Sequence, residues 1–149
     1  MGVTSRVYQR RARAPLLGYA CDMSLDRNAE NAVAQLLARL RAEANPANVE
    51  GMARYGISSR GLLGVSMPLL RSTAREVKAA GRDADREAGT KRDEVGPGAL
   101  WRHSVAAGLW TSGVHEAAIL AALVDDPAQV TEAQMEAWVL DLDSWDTCD

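Results

Sequence analysis

Apolar residues recur every three or four positions over most of the chain after residue 22, a spacing that predicts α-helices. The first such stripe consists of Val33, Leu36, Leu37 and Leu40, and we expect Asp26 to cap the helix that carries it. No stretch alternates between apolar and polar residues, so the pattern predicts no β-strand. The chain is therefore predicted to be all-α.

Turn and cap residues divide this pattern into six complete helices and the first turn of a seventh. Asn45 followed by Pro46 predicts an N-cap and the first position of the second helix. Thr131 and Gln134 form a T-x-x-Q capping box before the sixth helix. Ser66 is predicted to cap the third helix, whose inward-facing residues would be Leu69, Leu70, Thr73, Ala74 and Val77.

The connections between these helices are short, which favours antiparallel neighbours and predicts a partial helical-repeat solenoid over residues 23–149. Residues 1–22 are rich in arginine and end in PLLGYAC, which has no helical period. We expect them to be a disordered or non-native N-terminal extension. Residues 81–98 are charged and contain several glycines, so a flexible insert is predicted there.

Charge is distributed unevenly along the chain, whose net charge is -3. Residues 27–92 contain twelve basic and seven acidic residues, whereas residues 99–149 contain one basic and nine acidic residues. A nucleic-acid-binding protein needs a positive surface to release counterions from phosphates. A noncatalytic helical-repeat scaffold that binds protein or DNA therefore stays open as an alternative to an enzyme.

Metal and disulfide chemistry find little support in the sequence. Cys21 and Cys148 lie far apart without a neighbouring ligand, so we expect neither a disulfide framework nor a zinc site, and a cytoplasmic location. His115 and Glu116 begin like a zinc-protease helix, but Ile119 stands where the second histidine is required. The sequence contains no run of about 18 apolar residues, so it predicts no transmembrane helix.

The last forty residues or so, LWTSGVHEAAILAALVDDPAQVTEAQMEAWVLDLDSWDTCD, carry the most specific pattern. Their hydrophobic-His-Glu junction, Asp-Pro stop and DSWD-x-CD segment resemble the AlkD-like DNA alkylation-repair glycosylase family. NPANVEGMARYGIS and GVSMPLLR are similar to its first repeats. The resemblance runs from about Asn28 to Asp149, is strongest after Leu109, and is interrupted by residues 81–98. It implies a HEAT-like repeat fold, C-terminally truncated and inactive alone.

The same resemblance implies a chemistry. Trp145 and Asp149 are four residues apart and share one face if that segment is helical. By resemblance, Asp149 is the catalytic aspartate that stabilises the sugar cation and positions water, and Trp145 contacts the deoxyribose. The implied substrate is double-stranded DNA containing cationic N3- or N7-alkylated purines, hydrolysed without base flipping. We expect a monomer that needs neither a metal nor an organic cofactor.

The other notable side chains have structural interpretations. Trp101, Trp110 and Trp138 recur among Leu, Val and Met at helical spacings, which predicts core or inter-helix packing. The His115-Glu116 pair is predicted to form an inter-helix contact or a cap.

Overall fold

The computed structural model describes residues 23–57 and 60–142, with side chains from Asp26 onward. Over these ranges the regular secondary structure is entirely helical, which confirms the predicted all-α class. Within them lie six helices: α1 (Met23–Ala42), α2 (Pro46–Ala53), α3 (Met67–Glu87), α4 (Pro97–Trp110), α5 (His115–Val124) and α6 (Glu132–Asp141).

The apolar stripe of α1 faces the core as predicted: Leu40 is buried, and Val33, Leu36 and Leu37 pack against the core from partly buried positions. The expected cap at Asp26 is wrong, because α1 begins three residues earlier at Met23. Asp26 lies in the first turn instead, where its carboxylate still interacts favourably with the positive end of the helix dipole.

The other predicted caps occupy their expected positions. Asn45 is the N-cap of α2 and its side chain accepts a hydrogen bond from the backbone N–H of Ala47 at 3.1 Å. Thr131 is the N-cap of α6, and its hydroxyl accepts from the N–H of Gln134 at 3.2 Å. Ser66 is the N-cap residue of α3 but makes no capping hydrogen bond through its side chain.

The core forms around α4, which packs against α1, α3 and α5. This helix packing is consistent with HEAT-like repeats. Four of the largest side chains in the core are leucines with almost no solvent exposure. They are Leu40, Leu70, Leu109 and Leu120.

The segment expected to be a flexible insert needs a correction. Helix α3 continues through Gly81 to Glu87, and α4 already begins at Pro97. A Cβ at Gly98 would collide with the carbonyl oxygen of Gly81, so the two glycines permit a close approach of α3 to α4. The N–H of Gly98 also donates to Asp85 at 2.7 Å. Two of the glycines that predicted a flexible insert thus lie where α3 and α4 cross, and only residues 88–96 lie between the two helices.

No helix in the part of the chain that the structure describes is long and apolar enough to cross a membrane. The predicted N-terminal extension, residues 1–22, and the predicted seventh helix fall outside the described residues.

Candidate nucleic-acid interface

Four basic residues follow one another along α3 at intervals of four, three and four positions: Arg71, Arg75, Lys78 and Arg82. At 3.6 residues per turn they fall within a sector of about 60°. The three arginines are exposed and Lys78 is half-buried. We refer to these four residues as the basic stripe.

Other charges on α3 leave the basic stripe largely uncompensated. Glu76 and Asp83 lie about 120° around the helix from it. Asp85 lies beside it, three positions after Arg82, and its carboxylate accepts from the N–H of Gly98 at 2.7 Å. Glu76 accepts from Arg39 of α1 at 2.6 Å, and this hydrogen bond lowers the pKa of the Glu76 carboxyl. Asp83 pairs with Arg86 at 2.7 Å. Three of the four acidic residues of α3 therefore lie on a different face from the basic stripe, and Asp85 is the exception.

The dimensions of the basic stripe suit a polyanion. From Arg71 to Arg82 it extends about 16 Å at 1.5 Å per residue. One strand of a DNA duplex presents about five phosphates over that length, at about 3.4 Å of helix axis each. Sequence reasoning found the positive charge of residues 27–92 but missed this row, although its 4-3-4 spacing was visible.

A groove of about 380 Å³ between α1 and α4 is a less suitable binding surface for DNA. Its floor is apolar and includes Val33, Leu37 and Gly108, and Asp26 and Glu30 contribute carboxylates. Phosphates would be repelled by these two acids. The basic stripe is therefore the better candidate for a nucleic-acid interface.

Glu116 fixes the loop that leads into α3. Its side chain is 1% exposed. One carboxylate oxygen accepts from the backbone N–H of Gly64 at 2.6 Å and of Val65 at 3.2 Å, and both oxygens lie 3.0 Å from the N–H of Leu63. A structural role for Glu116 was predicted as an inter-helix contact or a cap; the role is structural, but the partner is the loop before α3 rather than another helix. Because this loop leads directly into α3, the contact also fixes the position of the start of α3, and so of the basic stripe, relative to α5.

A polar cluster joins α4, α5 and α6 at Asp125, whose side chain is 4% exposed. Its carboxylate accepts from Nδ1 of His103 at 2.8 Å and from the side-chain amide of Gln134 at 2.7 Å. The adjacent Asp126 pairs with Arg102. Sequence reasoning interpreted Asp125 only as part of a helix stop and Gln134 only as half of a capping box.

The cluster predicts a pH dependence of stability. The pKa of His103 is raised above its ordinary value, mainly because the imidazole forms a hydrogen bond with Asp125. A proton that binds more tightly in the folded state stabilises the fold below the unfolded pKa of about 6.5, and this contribution is lost as the pH rises through the higher folded pKa. Between about pH 5.5 and about pH 8.5, the free energy of unfolding of the wild type should therefore decrease more than that of His103→Gln. Urea unfolding at the two pH values measures both decreases. Parallel decreases would contradict the assignment.

Two tryptophans connect α4 to α6. The rings of Trp110 and Trp138 are stacked with centroids 4.1 Å apart and an angle of 3° between their planes. The indole N–H of Trp110 donates to Asp141 at 2.9 Å. Trp101 is partly buried against the core. The predicted packing roles of all three tryptophans are confirmed.

The two predicted catalytic residues, Trp145 and Asp149, lie outside the described residues. They follow α6 directly in the sequence, four and eight positions after its last residue, Asp141. Among the residues that are described, no group of three or more His, Cys, Asp or Glu side chains could hold a metal ion.

These features define an all-α protein whose third helix presents a row of basic residues to solvent. A family model described as DNA alkylation repair enzyme matches residues 36–149, and the chain belongs to this family. Comparison with curated proteins and with solved structures gave no match. The family assignment confirms the resemblance found in the sequence.

Proposed function

We propose that the protein is a DNA glycosylase that hydrolyses the N-glycosidic bond of cationic N3- and N7-alkylated purines in double-stranded DNA. Membership of the DNA alkylation repair enzyme family is the observation that carries this proposal. The basic stripe of α3 supports the DNA-binding part, because a row of four cations suits a phosphate backbone. We place the enzyme in the cytoplasm and expect it to act as a monomer.

The proposed reaction does not require the protein to protonate the leaving base. An alkylated purine already carries a positive charge, so the electron pair of the breaking C1′–N bond neutralises the departing base. Positive charge then develops on the sugar, where a fixed carboxylate and an electron-rich indole face stabilise it. We assign these roles to Asp149 and Trp145. Water adds to C1′ and loses a proton, which leaves an abasic site.

Base release from methylated duplex DNA by the full-length protein tests the proposal, because residues 1–149 are expected to be inactive alone. We expect free 7-methylguanine and an abasic site in an otherwise uncut strand, and no release from the same duplex without methylation. A protein that binds the methylated duplex but releases no base would instead be the noncatalytic scaffold.

The basic stripe makes a separate prediction about DNA affinity. Replacing Arg75 and Arg82 with Gln removes two phosphate contacts, so the slope of log K against log salt concentration should become shallower by about 1.8. Titration of a fluorescent duplex at several salt concentrations measures this slope. The matched control, Arg41→Gln with Lys91→Gln, removes the same charge from exposed positions outside α3 and should leave the slope nearly unchanged. Equal changes in both variants would refute the interface.

A further inference from the structure

The groove between α1 and α4 is poorly suited to DNA but can accept another helix. Its lining residues on α1 extend from Asp26 to Leu37, which is about three helical turns. On α4 it is lined by Ser104 and Gly108, whose small size leaves room beside α1. Helices pack with their axes about 8–10 Å apart, and small residues at the contact permit the shorter distances. A helix of similar length can therefore lie along the groove.

One row of residues on α1 borders this groove and has a regular charge pattern. It consists of Glu30, Ala34, Leu37 and Arg41, at intervals of four, three and four positions. At 3.6 residues per turn they fall within a sector of about 60° and extend over about 16 Å. Leu37 is half-buried and the other three are exposed. We refer to these four residues as the α1 row: an acid at one end, a base at the other and apolar residues between them.

The two charges of the α1 row have no partner within the fold. Among the residues that the structure describes, neither Glu30 nor Arg41 forms an ion pair or a side-chain hydrogen bond. Arg39, on a different face of the same helix, is in contrast paired with Glu76 at 2.6 Å. The charges beside the groove can therefore bind a partner without breaking a contact of the folded chain.

The α1 row is complementary to itself when its direction is reversed. If two copies of α1 lie antiparallel, Glu30 of one copy faces Arg41 of the other, and Leu37 faces Ala34. Each contact occurs twice because the arrangement has two-fold symmetry. A large apolar side chain meets a small one, which allows the helices to approach closely. We propose that the groove side of α1 binds the same side of a second copy of this chain, in antiparallel orientation.

The small size of the contact predicts a weak dimer. A single pair of helices over about 16 Å is a short interface, and interfaces that bury less than about 1,200 Å² are typical of weak or transient complexes. We expect a dissociation constant on the order of 10–100 µM. At the much lower protein concentrations of a base-release assay the chain is then monomeric. The inference therefore agrees with an enzyme that acts on DNA as a monomer, and it does not depend on the glycosylase proposal.

Charge reversal at the two ends of the α1 row tests the pairing. Glu30→Arg places a base opposite Arg41 of the second copy, and Arg41→Glu places an acid opposite Glu30. Because each reversal acts twice in a symmetric dimer, we expect either one to raise the dissociation constant about tenfold or more. Sedimentation equilibrium of the full-length protein over about 1–500 µM measures this constant.

Two combinations of these substitutions should restore association. The double variant Glu30→Arg/Arg41→Glu again has opposite charges at the facing positions, so its dissociation constant should be within about threefold of the wild-type value. An equimolar mixture of the two single variants should also form dimers, because one carries two bases where the other carries two acids. Glu50→Arg is the matched control: it makes the same change of charge at an exposed position of α2 and should leave association unchanged.

Melting curves recorded by circular dichroism should show that all of these variants are folded, because each substitution is at an exposed position. Single variants that associate as tightly as the wild type would overturn the proposal and would point to another surface, such as exposed Met135 and Val139 of α6. A double variant that stays as weak as the single variants would also overturn it. So would a wild-type protein that is monomeric up to about 500 µM, which would leave the groove to residues 1–22 or to a different protein.

Discussion

Replacing Glu116 with alanine is expected to destabilise the protein by about 3–5 kcal/mol. The carboxylate is buried and receives the backbone N–H groups of Leu63, Gly64 and Val65. Its removal leaves these donors without their acceptor, and each buried unsatisfied group costs about 1–3 kcal/mol. Urea unfolding monitored by circular dichroism measures the loss.

Glu116→Gln is the matched variant, since it keeps the size of the side chain and one acceptor oxygen. That oxygen can still accept from Gly64 and Val65, so we expect a loss of stability between those of the wild type and the alanine variant. An alanine variant within about 1 kcal/mol of the wild type would show that the loop before α3 does not depend on this carboxylate.

Asp149→Asn is expected to reduce base release by about 100-fold or more. The substitution keeps the shape of the side chain but removes the negative charge that stabilises the developing sugar cation. Single-turnover kinetics with excess protein and a 7-methylguanine duplex isolate this step from product release. The melting temperature should be unchanged, because the proposed role of Asp149 is electrostatic.

A neighbouring acid provides the control for this effect. Asp146→Asn removes the same charge three residues earlier in the sequence. The Asp146 carboxylate is expected to interact favourably with the positive end of the dipole of the predicted final helix. The rate of base release by Asp146→Asn should therefore stay within about threefold of the wild-type rate. Equal losses in both variants would indicate a general effect of acidic charge rather than a specific role for Asp149.

Local features of this fold were predictable from the sequence because local physics determines them. The spacing of Val33, Leu36, Leu37 and Leu40 identified the buried face of α1, and Asn45 and Thr131 marked helix starts that their side chains cap. Each of these signals depends on residues within one or two helical turns.

Contacts between distant helices were not predictable in the same way. Gly81 and Gly98 resemble linker glycines until α3 and α4 are seen to cross beside them. Gln134 completes a capping box in the sequence, yet its side chain reaches back to Asp125. The pairing of Trp110 with Trp138 likewise depends on how α6 returns toward α4. A single sequence contains no direct signal for such partners.

The candidate DNA interface lies between these two cases. The excess of positive charge in residues 27–92 was predictable, and the spacing of the four basic residues at intervals of four, three and four was present in the sequence. Which face of α3 is buried decides whether the four cations reach solvent, and the exposure of Arg71, Arg75 and Arg82 answers that question. Trp145 and Asp149 were identified through the family resemblance, and their joint role stays a prediction.

The rate of 7-methylguanine release from a methylated duplex, compared between the full-length wild-type protein and its Asp149→Asn variant, tests the central claim most directly. The account predicts measurable release by the wild type and a loss of about 100-fold or more in the variant, with DNA affinity and melting temperature unchanged. Equal release by the two proteins would contradict the assigned role of the carboxylate, and release by neither would contradict the glycosylase function itself.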